Sequence, residues 1–349
     1  MTTRMKRWHL WMICVAVGCG LTACAEAATN RLCVVSWNIQ NLFDADDDPD
    51  NPFDDEYTPA GKQNWTPEAY QAKLKNLAWA IAQLKPDILG VAEVENRRVL
   101  ADLQQVLKAE HKFELPEIIH REGKDTRGIE VALLSRVKPE AMSWLSGKSG
   151  REMVCGTFRV DGAPVTVVMC HWKSKLIPQG MTEQDVTATR LKEASAVRTF
   201  IDAQMKKDAN AAIIVMGDFN EVITSPTLTE HALFLVDRAA LKTTPSALFN
   251  LASELPERLR GTYYYNKQWE AIDSISVTQP MLAPLTPHTW TVEPNTYRVY
   301  RDSKLTDYKN GSPRAFRVIA PKERAPYTYG HSDHFPVTVD LWKHAQKTR

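Results

Sequence analysis

The chain has 349 residues, 44% of them hydrophobic and 24% charged, with 43 Lys+Arg against 42 Asp+Glu. Those proportions belong to a folded globule and exclude a disordered chain, while the near-zero net charge excludes a protein that coats nucleic acid by bulk basicity. A local cation site can still carry out phosphate chemistry without net charge.

In chain order, the first feature is a leader. Arg4, Lys6 and Arg7 precede an apolar run from Trp8 to about Ala23, the pattern of an export signal, and the run is short for a spanning helix. Two cleavage readings stand side by side. Leu21-Thr22-Ala23-Cys24 resembles a lipobox that would lipidate Cys24 and anchor the protein to a membrane, whereas Ala25-Glu26-Ala27 fits an A-x-A site that would release it to the periplasm or medium. Removing residues 1–27 leaves 40 basic against 41 acidic residues. The remainder, residues 28–349, reads as one continuous domain without repeats or long linkers.

Leu32–Ile39 is an apolar strand, and Asp44–Glu56 is an acidic loop, read as solvated rather than as a structural Ca2+ site because it lacks the glycine and terminal Glu of an EF-hand. Pro67–Leu84 has helical spacing through Tyr70, Leu74, Leu77, Ile81 and Leu84; Asp87–Val94 is a buried strand; Arg97–Ala109 is a second amphipathic helix. Strands are expected at Glu117–His120, Glu130–Leu134, Met153–Val160 and Val165–Cys170, the last two joined across the turn residues Asp161–Pro164. In a regular hairpin of that length Cys155 and Cys170 would lie opposite one another, where export permits a disulfide; two buried thiols are the other reading. A long helix at Val186–Met205 and strands at Ala211–Met216, Thr262–Tyr265, Ala271–Val277 and Phe335–Leu341 complete an α/β pattern of mixed sheets covered by helices.

Polar residues recur where these strands end: Trp37-Asn38, Ala92-Glu93, Cys170-His171, Gly217-Asp218-Phe219-Asn220, Ile272-Asp273 and Ser332-Asp333-His334. Carboxylates, amides and imidazoles so placed suit a hard divalent ion such as Mg2+ or Mn2+ and the activation of water for attack on phosphorus. Each piece alone also has a plainer use as a turn or a solvated strand end. Asp273 is harder to explain that way, because a carboxylate among apolar strand residues needs a partner, and His334 would supply one.

The ordered set resembles the endonuclease/exonuclease/phosphatase superfamily, the deoxyribonuclease-I-like fold, from about Arg31 to Leu341. That resemblance implies a four-layer α/β/β/α sandwich of two mixed β-sheets flanked by helices. It implies Glu93 as principal Mg2+ (or Mn2+) ligand, Asn38 beside metal and phosphate, and Asp333 in support of the metal. Asp218 would orient or deprotonate the attacking water, and Asn220 would hydrogen-bond the phosphate. His171 would stabilise the transition state; His334, oriented by Asp273, would contact the scissile phosphate or move a proton.

Substrate class follows less directly. Ile272-Asp273-Ser274 departs from the Cys-Asp-Arg of the inositol-polyphosphate phosphatases, and Ser274 departs from the aromatic of the abasic-site repair enzymes. An exported nuclease is the first expectation, with a phosphatase or sphingomyelinase-like lipid phosphodiesterase as the alternative and a non-catalytic surface binding protein behind both. Lys173 and Lys175 flank the His171 segment and Arg127 precedes a strand, so phosphate contacts are expected from Arg127 and Lys173. Arg190 reads as a surface or salt-bridged residue. Tyr263, Tyr264, Tyr265 and Trp269 could stack bases. No exposed apolar hairpin is evident, no obligate protein partner is implied, and a monomer is expected.

Overall fold

Arg31–Leu42 forms the first strand (β1) of a computed structural model that describes residues 31–49, 51, 54–125, 127–147, 150–282, 289–318 and 329–343. The expected leader, Cys24 included, and part of the acidic loop lie outside the described residues. Helix Pro67–Leu84 (α1), strand Ile88–Val94 (β2) and helix Arg97–His111 (α2) follow, then strands Glu117–Ile119 (β3), Glu130–Ser135 (β4), Pro139–Ser146 (β5), Glu152–Val160 (β6) and Ala163–His171 (β7). Helix Glu183–Lys207 (α3) leads to Ile213–Asp218 (β8), Phe234–Leu235 (β9) and Leu248–Asn250 (β10). A short hairpin, Tyr263–Tyr265 (β11) and Gln268–Glu270 (β12), precedes Asp273–Thr278 (β13), Thr291–Val292 (β14), Arg298–Val299 (β15) and Val337–Trp342 (β16).

Two seven-stranded sheets result. One has the order β14-β16-β1-β2-β4-β3 with β15 beside β16, and the other β5-β6-β7-β8-β13-β10-β9. Both are mixed: β1 and β2 are parallel, as are β7 and β8, while β1–β16 and β8–β13 are antiparallel. Alternation along each strand explains the layering. Val34 of β1 and Ile88 of β2 meet Val167 and Met169 of β7 and Ile214 of β8 between the sheets. Their neighbours Val35, Trp37, Leu89 and Val91 face outward onto Leu74, Leu77 and Ile81 of α1 and Leu100 and Leu103 of α2. On the far side Val168, Cys170 and Val215 pack under Val197 and Ile201 of α3. Strands buried on both faces read as unbroken apolar runs, and the four layers are helix, sheet, sheet and helix.

Local chemistry sets the helix starts. Thr66 accepts from Ala69 N ahead of Pro67, and Asn96 accepts from Val99 N. Thr182 and Asp185 form a reciprocal capping box, which starts α3 three residues earlier than expected. No helix among the described residues is long and apolar enough to cross a membrane. Strand β5 was not expected from sequence: as the sheet's outer strand it leaves Glu140, Ala141, Met142 and Ser143 exposed and shows no period-two alternation.

Two expectations are corrected. Asp161 and Gly162, with φ of 48° and 79°, make a two-residue turn, so Ala163 and Pro164 enter β7 and Cys155 pairs with Val168 rather than Cys170. Cys33, Cys155 and Cys170 are free and buried. The acidic loop is not simply solvated either: Asp44 and Asp54 are buried, Asp54 accepts from Asp48 N, and Glu95 accepts from Asp44 N. Asp46, Asp47, Asp48 and Asp55 are exposed as expected, so among the loop's described aspartates only Asp44 and Asp54 turn inward, and Arg98 lies 3.6 Å from Asp44.

Gly217, next to Asp218, has a φ of +146°, and a Cβ there would run into the Cys170 carbonyl on β7. Gly217→Ala is therefore expected to cost about 2–3 kcal/mol, with melting temperature as the measure; an unchanged melting temperature would show that this backbone is not required.

Candidate active site

Register brings three of the candidate side chains into one row. His171 at the end of β7 pairs with Asp218 at the end of β8, and Asp218 pairs with Asp273 at the start of β13. The other sheet supplies Asn38 and Glu93 through paired irregularities. The β1–β2 register slips between Asn38 and Leu42, and the β2–β4 register slips between Ala92 and Val94. Glu93 sits in the second slip with φ of 66°, an expensive conformation for a residue with a Cβ, and bulges of this kind re-aim a side chain. Its Oε2 accepts from Asn41 N at 3.0 Å. Asp333 and His334 arrive on the segment before β16, where His334 bridges to Tyr263 and Trp37 Nε1 donates to the His334 carbonyl.

A cavity of about 480 Å³ is lined by Glu93, His171, Asp218, Asn220, Asp333 and His334, with Asn41, Arg127, Lys175, Tyr263 and Tyr265 on its walls. A larger one, about 820 Å³ between Ile223, Arg258, Arg260 and Trp269, holds no imidazole. Glu93 and His334 thus share one hollow. Arg127 is placed in it, its Nη2 donating to Asn41 Oδ1 and its Nη1 4.0 Å from Glu93 Oε1. Lys173 is not on its walls; Lys175 is, 3.7 Å from Glu270. Asn38 is buried and its amide is engaged twice, donating to Asp218 Oδ2 and accepting from Gln40 N. Asn220 donates its amide to the Trp172 carbonyl, leaving the second N–H for a ligand. Arg190 lies beneath this loop as a buried ion pair with Glu221 at 2.7 Å.

Titration behaviour divides the two histidines. His171 is pushed well below the ordinary imidazole range, first by burial and then by Arg151, Arg127 and His334. Arg151 Nη1 donates to His171 Nε2 at 3.2 Å, and since a guanidinium only donates, that nitrogen is the acceptor of a neutral ring. Burial opposes the His334 cation too. Asp273, whose Oδ2 lies 2.8 Å from His334 Nδ1, overcomes that penalty with help from Asp333 and Asp218, so His334 is held well above the ordinary range as an imidazolium. Thr262 Oγ1 donates to the same Asp273 oxygen, and Tyr263 stacks on the His334 ring at 4.6 Å between centroids. Asp218 is raised to about 7, by burial first and then by the Asp273 charge. Its Oδ2 lies 3.9 Å from His334 Nε2 and 3.8 Å from His171 Nε2. A raised carboxylate between a neutral and a charged imidazole separates base from acid, which is what hydrolysis by water needs.

The donor set also fits a divalent ion. Asp218, Asp273 and His334 each offer a ligand atom within 4.8 Å of the others, although the Asp273–His334 hydrogen bond occupies one edge of that group. Asp333 is raised by burial and by the nearby Glu93 charge despite the opposing pull of His334 and Lys73, so two hard oxygen donors face the hollow close enough to repel one another.

Several residues in or around the hollow were not found from sequence. Arg151 is held by Asp125 Oδ2 at 2.8 Å and reaches His171 from the start of β6, with no motif around it. Lys73 is buried on the apolar face of α1, donates to the His331 carbonyl at 2.7 Å, and is lowered by burial to about 7. A lysine placed three residues after Tyr70 and four before Leu77 was the available signal for it. Leu176, on the wall of the hollow, and the next residue Ile177 are exposed, an apolar pair that the sequence pattern did not disclose.

Comparison with known proteins bears on the family and the fold. A family model described as the Endonuclease/Exonuclease/phosphatase family matches residues 33–343. Truncated TDP2 of Caenorhabditis elegans superposes with a TM-score of 0.53 at 13% identity over 89% of this chain and 98% of its own. TDP2 of D. rerio, complexed with a single-strand DNA product, gives 0.52 at 14% identity over 89% and 98%. A mannosyl-6-phosphatase of Bacteroides thetaiotaomicron gives 0.53 at 17% identity over 89% and 99%. These similarities speak for the fold. A search of curated protein sequences finds no match.

Proposed function

Because the chain belongs to the endonuclease/exonuclease/phosphatase family, we propose that it is an exported, divalent-metal-dependent phosphodiesterase that hydrolyses nucleic acid. The observation that carries this reading is the raised Asp218 carboxylate beside the Asp273–His334 pair in a hollow walled by Tyr263 and Tyr265. Asp218, aimed by the Asn38 amide, takes the proton of the attacking water. His334, kept charged by Asp273, donates through Nε2 to the phosphoryl oxygens as negative charge builds on them. Arg127 and the free N–H of Asn220 hold the phosphate, and Lys173 adds positive potential from outside the wall. Arg151 keeps the His171 ring neutral and oriented. Glu93 and Asp333 would hold Mg2+ or Mn2+, which when bound supplies Lewis-acid stabilisation of that charge. The aromatic wall favours a substrate with bases to stack, and the D. rerio relative with its single-strand DNA product supports the same class. The leader supports export, with Cys24 as the alternative lipid anchor. No partner protein is required by this scheme.

A panel of supercoiled plasmid, single-stranded DNA, RNA, sphingomyelin and sugar phosphates, run with Mg2+, Mn2+ or EDTA, tests it. Nucleic acid should be cut, and EDTA should slow cutting by about 1,000-fold or more, as the loss of several kcal/mol of charge stabilisation requires. Inorganic phosphate released from sugar phosphates with nucleic acid intact would overturn it in favour of a phosphatase. The exposed Leu176 and Ile177 favour a second reading, a phosphodiesterase of lipid headgroups, which phosphocholine release would select.

A further inference from the structure

Away from the hollow, one other set of donor groups among the described residues is gathered with unmet hydrogen-bonding capacity. His120 follows β3, Glu130 opens β4, and Glu122 lies on the loop between them. A ligand atom from each lies within 4.8 Å of the other two. His120 Nε2 and Glu130 Oε2 face each other at 3.9 Å, on side chains only 1% and 8% exposed. Neither atom has a hydrogen-bond partner. Leaving such buried atoms unsatisfied is costly, so their pairing across a gap too long for a hydrogen bond calls for an occupant. Glu122 Oε1 is 3.8 Å from the other ring nitrogen, on a side chain that is 65% exposed.

We propose that His120, Glu122 and Glu130 form a second metal site, for a first-row divalent ion of the zinc or manganese class. One imidazole nitrogen with two carboxylates is the donor mixture such ions accept, with water in a remaining position, whereas Mg2+ prefers oxygen alone. The location gives the ion a task. The loop that these residues close carries Asp125, which holds Arg151 against His171, and Arg127, which reaches Asn41 and Glu93. Gly123 N already ties the loop to Glu130 Oε1. An ion bound at both ends of the loop would hold Arg127 and Asp125 in register with the hollow, coupling catalytic competence to a second metal.

The test uses chelator-stripped protein carrying Glu93→Gln to weaken the hollow's own metal binding. Zn2+ is titrated by calorimetry, and Co2+ by its visible absorption, in that protein and in the same protein with His120→Asn or Glu122→Gln added. One equivalent of Zn2+ is expected in the Glu93→Gln protein, lost with either addition and not displaced by millimolar Mg2+. Identical stoichiometry after the additions, or no Zn2+ bound at all, would overturn the proposal. If His120→Asn fails to fold, Glu122→Gln decides, because that side chain is exposed. The readout is stoichiometry and spectrum, so it stands whatever substrate the hollow takes.

Discussion

Asp218→Asn is expected to lower kcat at least about 1,000-fold while the protein stays folded and, in metal-free buffer at pH 8, melts at a higher temperature than the wild type. A positioned general base contributes about 100- to 10,000-fold, and the proposed role assigns that work to Asp218 alone among the buried carboxylates. The stability half follows from its surroundings. Asp218 is raised to about 7 by burial and by Asp273, so the folded protein binds its proton more tightly than the unfolded chain does. Stability contributed by that proton is complete below the unfolded value of 3.8 and is lost as pH rises toward about 7. The neutral amide removes that loss, so the two melting curves should converge near pH 4 and separate above pH 7. Activity runs the opposite way, since the base works ionised: wild-type kcat/KM should climb with pH below the Asp218 pKa. An Asp218→Asn protein with near-normal kcat would remove the base from the scheme.

The second large effect concerns the Asp273–His334 pair. His334→Gln should cost about 100- to 10,000-fold in kcat, because it removes a charged donor facing the developing negative charge. Asp273→Asn separates positioning from structure. His334 is cationic only because Asp273, with Asp333 and Asp218, outweighs burial. Without the Asp273 charge the imidazolium should lose its proton at lower pH, so the alkaline limb of kcat/KM should move down by at least about a full unit while KM changes little. Thr262 Oγ1 can still donate to the carbonyl oxygen of the substituted amide, which preserves the local packing. An unshifted alkaline limb in a folded variant would mean that His334 does not act as a charged acid.

Much of this protein was legible in its linear order, and particular residues show why. Pro67–Leu84 was read to the residue because Pro67, the Tyr70–Leu74–Leu77 spacing and Pro86 are all local signals. Asn38, Glu93, His171, Asp218, Asp273 and His334 stood out because each breaks the end of an apolar strand. Layering followed from runs such as Ile88–Val94, whose lack of alternation marks burial on both faces. What escaped was non-local or too short to carry a period: β5 at an exposed edge, the two-residue β9, β14 and β15, and the Asp161-Gly162 turn that shifted Cys155 off Cys170.

The sequence by itself determined which side chains could do chemistry and the order in which strands would present them. Only the tertiary structure decided how those groups act on one another. Arg151 reaches His171 across 20 positions, and Asp273 reaches His334 across 61. The signs of their proton affinities come from burial and from charges a few ångströms away, quantities that exist only once the two sheets are packed.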